Sequence, residues 1–288
     1  MIVKGTTRVC GLIGDPVAHT KSPLIQNMLA DLCGIDLVYV PFHVTARSEE
    51  EMRALVQGAF ALDILGLNAT IPFKQLVIPH LVSIDPVAER IGAVNTLVRA
   101  ENGYKGYNTD IAGLERDLAS HGISPEGRNI LIIGSGGAAR GAAFWCASCG
   151  PASLVIANRT LPKAQALIEE VAACHPELAV RAIGLHEIAS LAERYLVIQC
   201  SGIGFGENRD KSPIGDERFF RQADFAYDVV YAPLKTRFLE QAEAAGVPFA
   251  NGLGMLLGQG IRAFELWTGV SVTREQEDVV RDALLKAQ

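Results

Sequence analysis

Gly134, Gly136 and Ala139 stand in the stretch ILIIGSGGAARGAA with the spacing G-x-G-x-x-A, directly after an apolar run and directly before a helical pattern. In a strand-turn-helix setting that spacing suits a pyrophosphate. The glycines let the backbone come close, and the positive end of the helix meets the negative charge. Gly134, Ser135, Gly136, Gly137, Ala138 and Ala139 are therefore candidates for dinucleotide binding, the alternative being a tight glycine-rich turn without a ligand. About twenty residues past such glycines, a cofactor with a free ribose 2′-hydroxyl usually meets an Asp or Glu. Here the chain reads ANRT. Asn158, Arg159 and Thr160 supply donors and a fixed positive charge there, and Lys163 follows in the next helical turn. Charge logic favours a 2′-phosphate, hence NADP, with NAD as the alternative and a plain helix cap as the alternative role of Thr160.

A second cluster of interest is NATIPFKQ, Asn68 to Gln75. An apolar strand-like run ends there, Pro72 turns the chain, and Lys74 stands just beyond the strand end. It is either an ordinary solvated turn lysine or an ammonium group aimed into a cleft. The glycines of SGIGFG, Ser201 to Gly206, also follow a strand, but no helix pattern comes after them, so they line a crevice at most. The Cys-x-x-Cys of WCASC closes a helix instead of opening one, which argues against redox chemistry.

The elements that must position these residues alternate. RVCGLIG, LVYVPFHV and DILGLNAT read as strands, with helices SPLIQNMLADLC and SEEEMRALVQGAF between them. Such βαβαβ order predicts an α/β fold with an open, mostly parallel sheet. Two short strands follow around Asn102-Gly103, a hairpin dipeptide. After the helix DIAGLERDLASHG a second alternation begins with ILIIG, SLVIAN, the helix LPKAQALIEEVAAC, LVIQC and FAYDVV, and the helices MLLGQGIRAFELWTG and REQEDVVRDALLKA end the chain. No linker composition marks the boundary near residue 110, so the domains are expected to share helices instead of a tether.

The 288 residues, 49% hydrophobic and 20% charged with a net charge of −6, suit two substantial cores and offer no basic field for nucleic acid. A small-molecule substrate is expected. No targeting or membrane-spanning segment is legible, and six scattered cysteines fit reduced thiols, so a cytoplasmic protein without a metal site is expected.

Seven stretches, GDPVAHTKSP, NATIPFK, GAVNT, NTDIAG, GSGGAAR, NRT and GLGMLLGQ, come in the order found in the shikimate dehydrogenase family, which includes quinate/shikimate dehydrogenases, and resemble it over nearly the whole chain. The resemblance implies a substrate-binding domain over 1–109, a Rossmann-type NADP domain over 110–250, and C-terminal helices over 251–288 that return to the first domain. It implies Lys74 and Asp110 as the catalytic pair, and Thr20, Ser22, Thr70, Asn95, Tyr231 and Gln259 as substrate-binding residues. Gly254 is implied at the cofactor. It also implies a place in the shikimate pathway of aromatic amino-acid biosynthesis, and a monomer or homodimer.

The physical reading agrees with that chemistry. When hydride reaches a ketone carbon, negative charge grows on the oxygen, and a lysine there stabilises it and completes the alcohol. Each residue also has a structural alternative: Ser22 as an N-cap ahead of Pro23, Asn95 in a turn, Asp110 as a helix cap, Gln259 as a surface amide. Two departures from the family pattern, Thr20 in place of a serine and QCS at Gln199 to Ser201, fall where substrate or nicotinamide is expected. A quinate/shikimate or aminoshikimate-type dehydrogenase using NAD is the sister reading. A methylenetetrahydrofolate dehydrogenase lacks its tyrosine motif here, and a non-catalytic NADP-binding regulator would lack Lys74 or Asp110.

Overall fold

The computed structural model describes residues 2–46 and 48–287. The chain divides into two compact units, Met1–Gly113 with Leu257–Ala287 and Leu114–Leu256.

In the first unit β1 (Arg8–Gly14) is buried from Cys10 onward on both faces, as a central strand must be. It is followed by α1 (Ser22–Leu32), β2 (Leu37–His43), α2 (Glu49–Ala61), β3 (Gly66–Ala69) and the one-turn α3 (Phe73–Leu76). Then come the two-residue β4 (Ser83–Ile84), α4 (Pro86–Ile91), β5 (Thr96–Ala100), β6 (Gly103–Tyr107) and α5 (Asp110–Ser120). The sheet order is β2-β1-β3-β5-β6-β4, with β5 alone running against its neighbours. Pro41, which cannot donate to a ladder, lies on the edge strand β2. Ser48 and Glu51 close a capping box on α2, while Met52, Val56 and Ala59 turn inward at helical spacing to join Ile13, Leu67, Phe73 and Leu97 in the core.

The second unit is a doubly wound sheet. In chain order it holds β7 (Asn129–Ile133), α6 (Gly137–Ser148), β8 (Ser153–Asn158), α7 (Leu161–Cys174), β9 (Val180–Gly184), β10 (Tyr195–Gln199), β11 (Ala223–Asp228), α8 (Arg237–Ala244) and β12 (Phe249–Asn251). All pairings are parallel in the order β12-β11-β10-β7-β8-β9, so the order reverses between β7 and β10. Strand alternation feeds two cores. Ile130 and Ile132 pack with Leu154, Ile156, Leu196 and Ile198, while Leu131 and Ile133 pack with Val155, Ala157 and Val197.

The division between units falls inside α5 and inside α9 (Leu253–Thr268), with α10 (Arg274–Lys286) ending the chain. Three bonds tie these last helices into the first unit. Gln26 Nε2 donates to the Gly260 carbonyl at 2.8 Å, Trp267 Nε1 to that of Leu97 at 2.9 Å, and Gln276 Nε2 to that of Leu32 at 3.0 Å. No described helix is long and apolar enough to cross a membrane.

Candidate active site

β3 ends at Ala69, and Thr70 closes a turn by accepting from Phe73 N at 2.7 Å. One helical turn then presents Lys74. Its Nζ donates to Asp110 Oδ2 at 2.6 Å, with 29% and 19% of the two side chains exposed. The other carboxylate oxygen accepts from Asn95 Nδ2 at 2.8 Å. Asp110 opens α5, but both oxygens of its side chain are engaged by these residues from outside the helix. An ammonium group held by a half-buried carboxylate and still reachable from solvent is a proton donor with a fixed direction.

Asn95 is buried, and its amide oxygen accepts from Thr96 Oγ1 at 2.9 Å and from Thr109 N at 2.8 Å, so the amide cannot turn over. It thus serves its own turn and the carboxylate together. Buried Asn68 of β3 donates to the Asn95 carbonyl at 3.1 Å and to Thr96 Oγ1 at 3.0 Å.

Thr20 lies in the loop ahead of α1 and Ser22 in the first turn of α1. Ser22 N donates to Thr20 Oγ1 and the two hydroxyls meet at 3.2 Å. The structure corrects one alternative, since the N-cap of α1 is Lys21, without a side-chain cap bond, and Ser22 is the first helical residue. Proline at the next position favours that register. The Ser22 hydroxyl is therefore not consumed by capping. The Thr70 side chain directs its methyl toward Gly14. Gln259 is half-buried on α9, one residue before the Gly260 carbonyl that Gln26 grips.

The second unit carries the glycine turn. Gly134 has φ +117° and sits where a Cβ would come within 3.1 Å of the Cys200 and Ser201 backbone, so conformation and space both require glycine. Gly136 and Gly137 face open space, and Ala139 is fully buried under the helix. Gly136 is the N-cap of α6, and neither α6 nor α7 has an acidic residue in its first turn. Asn158 ends β8 with Nδ2 on the Thr160 carbonyl at 3.0 Å, while the side chains of Arg159, Thr160 and Lys163 are exposed. Thr160 is the N-cap of α7, yet its hydroxyl makes no cap bond, against the plain-cap alternative. Arg140 of α6 forks onto Glu170 of α7, one arm at 2.8 Å, joining the two helices whose N-termini flank this turn. Open glycines, unopposed helix dipoles and exposed cations fit a phosphorylated dinucleotide.

Gln199, in the departure QCS, is fully buried and braces its own loop. Its Oε1 accepts from Ser201 N at 2.7 Å, and its Nε2 donates to the Ile203 carbonyl at 2.8 Å. Gly254 packs so tightly on Asp117 that a Cβ would lie 2.0 Å from the carboxylate, which also accepts from Tyr227 OH at 2.7 Å. Tyr231 follows β11 in the second unit, half-buried, and burial pushes its phenol up.

Sequence reasoning missed Asn68, Thr96 and Thr109 around Asn95, and also Asp228. A lone asparagine inside the apolar strand GLNA was the available signal for the first. Asp228 is fully buried, accepting from Val230 N at 3.0 Å and from Thr236 Oγ1 at 2.6 Å, and so holds both ends of the segment that carries Tyr231. Burial raises its carboxyl to about 6 despite those bonds. With a folded value above the unfolded one, its contribution is fully present below about pH 4 and is lost as pH rises through about 6. The stability of the wild type relative to Asp228→Asn should therefore fall between about pH 4 and 6 and level off above, with a slope of at most about 1.4 kcal/mol per pH unit. Urea midpoints of both proteins across that range check it, and a gap that widens with pH in the wild type's favour contradicts it.

The six cysteines are free thiols. Cys146 and Cys149 of WCASC are both pushed up by burial, the opposite of a redox-primed pair. Among the described residues, no group of three or more His, Cys, Asp or Glu could hold a metal ion.

Comparison with known proteins gives a consistent result. The model of the shikimate dehydrogenase substrate binding domain matches residues 12–97, that of shikimate / quinate 5-dehydrogenase residues 117–203, and that of the shikimate 5′-dehydrogenase C-terminal domain residues 252–285. The shikimate dehydrogenase (NADP(+)) of Alkaliphilus metalliredigens is 40% identical over 270 residues, 93% of each chain. That of Moorella thermoacetica is 40% identical over 286 residues, 99% of this chain and 94% of the relative. A crystal structure of a shikimate dehydrogenase in complex with NADP+ superposes with a TM-score of 0.89 at 35% identity, covering 99% of this chain and 97% of the other. The shikimate 5-dehydrogenase of Listeria monocytogenes, solved with shikimate and NAD, gives 0.88 at 30% identity and 98% coverage of both.

Proposed function

The chain belongs to the shikimate dehydrogenase family, and from that premise we propose that it interconverts 3-dehydroshikimate and shikimate with NADP as the hydride carrier. It is an oxidoreductase of the shikimate dehydrogenase type, acting on a CH–OH group. The observation that carries the finer reading is the Lys74–Asp110–Asn95 cluster, with its 2.6 and 2.8 Å bonds, in a chain that also has an open glycine turn.

NADP, when bound, supplies or accepts the hydride. Gly134 to Ala139 and the α6 N-terminus would hold its pyrophosphate, and Arg159, Thr160 and Lys163 its 2′-phosphate. The remaining work falls to side chains of the first unit. In the reducing direction Lys74 Nζ donates to the carbonyl oxygen as charge grows there and gives up its proton to complete the alcohol. In the oxidising direction it takes that proton back. Asp110 keeps the ammonium group aimed, and with Asn95 it binds a neighbouring ring hydroxyl. Thr20 and Ser22 offer two hydroxyls to the ring carboxylate, with Thr70 and Gln259 as further ring contacts. On this reading 1–109 and the C-terminal helices serve the substrate together with Asp110, which opens the segment 110–250 whose remainder serves NADP.

Incubation of the purified protein with shikimate and NADP tests it. NMR of the product should show 3-dehydroshikimate formed in step with NADPH. Unchanged shikimate, or oxidation at another ring carbon, overturns the reading.

A further inference from the structure

Tyr39 lies in β2 and is 1% exposed, far along the chain from Lys74, yet an unbroken set of hydrogen bonds joins the two. Tyr39 OH donates to Asn68 Oδ1 at 2.7 Å. That contact faces the Asn68 amide nitrogen toward the Asn95 carbonyl and Thr96 Oγ1, at 3.1 and 3.0 Å. With its oxygen satisfied by Asn68, the Thr96 hydroxyl donates to Asn95 Oδ1 at 2.9 Å, leaving Asn95 Nδ2 directed at Asp110 Oδ1 at 2.8 Å. Asp110 Oδ2 then holds Lys74 Nζ at 2.6 Å.

Each member fixes the donor direction of the next, because the amides have no second orientation that would satisfy their partners. Turning Asn68 over would set its oxygen against the Asn95 carbonyl. Burial holds the Tyr39 phenol well above its ordinary range, so it remains a donor. Its ring is fixed by Trp267, with centroids 5.9 Å apart, whose indole is in turn anchored on Leu97 O of β5. β2 and β3 are not neighbours in the sheet, since β1 lies between them, so only the reach of a tyrosine across β1 makes the connection.

We propose that Tyr39 is a positioning residue for the reaction, setting through Asn68, Thr96 and Asn95 the direction in which Asp110 holds the Lys74 ammonium group. This rests on the assignment of Lys74 and Asp110 as the acid–base pair. Tyr39 does not touch the reacting atoms, and its effect passes entirely through Asn95.

A double-mutant cycle on kcat tests the route, using the intact protein, shikimate and NADP. Tyr39→Phe should lower kcat about three- to tenfold, the loss expected of one buried hydrogen bond, with NADP affinity unchanged. Asn95→Ala should lower kcat further. In the Asn95→Ala background, adding Tyr39→Phe should change kcat by less than twofold. A purely structural tyrosine would give rate factors that multiply, and that result overturns the proposal, as does wild-type kcat in Tyr39→Phe. Thr96→Val replaces Tyr39→Phe in the same cycle if the latter does not fold, with the same expected outcomes. Wild-type kcat in Asn95→Ala alone would instead overturn the site assignment, and the proposal with it.

Discussion

Replacing Lys74 with alanine is expected to cut kcat by about 10²- to 10⁴-fold, the usual contribution of a positioned proton donor, with NADP affinity nearly unchanged. The size follows from the geometry. Asp110 spends one oxygen on Lys74 and the other on Asn95, so without the lysine no described cation is bonded to it that could take over the donor's place. A carboxylate left in that position would also oppose the negative charge growing on the carbonyl oxygen. Dinucleotide binding should survive, because the glycine turn belongs to the other compact unit. Steady-state rates with a parallel NADP titration check this. A kcat within about threefold of wild type, in a folded variant, would remove Lys74 from the mechanism.

Arg159→Ala carries the second large effect. The guanidinium is exposed at the end of β8, beside a Thr160 hydroxyl that caps nothing, in a helix start without acidic residues. A charge-assisted contact with a 2′-phosphate is worth about 1.5 to 3 kcal/mol, so wild type should bind NADP roughly ten to a hundredfold better than NAD. The substitution should remove most of that difference by weakening NADP alone, since the pyrophosphate remains on Gly134 to Ala139. Fluorescence titration of both proteins with both dinucleotides measures it. Equal losses for NADP and NAD would show that Arg159 does not read the extra phosphate.

The parts of this molecule legible in the sequence are those governed by local pattern. Alternation fixed the central strands, because β7, β8 and β10 are buried on both faces and read as unbroken apolar runs. The glycine turn was legible for the same reason, its function residing in consecutive residues. β4, α4, β9, α8 and β12 were not. The three strands are short edge pieces or lie near an edge, and the helices are short, so none has enough periodicity to stand out. Lys74 and Asp110 were named through a resemblance, but their 2.6 Å contact depends on β3 and β5 pairing antiparallel, a long-range event that no local window contains. Asn68, Thr96 and Tyr39 went unnoticed as site residues because their meaning is relational. A buried tyrosine in a strand looks like core until its hydroxyl is found on an asparagine two strands away. Asp228 at the end of β11 resembles any strand-end aspartate, and only its complete burial sets it apart.

We propose that this chain oxidises and reduces the shikimate ring with NADP. The most direct test is a steady-state assay of the purified protein with shikimate and quinate, each against NADP and NAD. The highest kcat/KM is expected for shikimate with NADP, with NAD poorer by the factor that Arg159 provides. No turnover of either acid by a folded protein that binds NADP, or a preference for quinate with NAD, would contradict it.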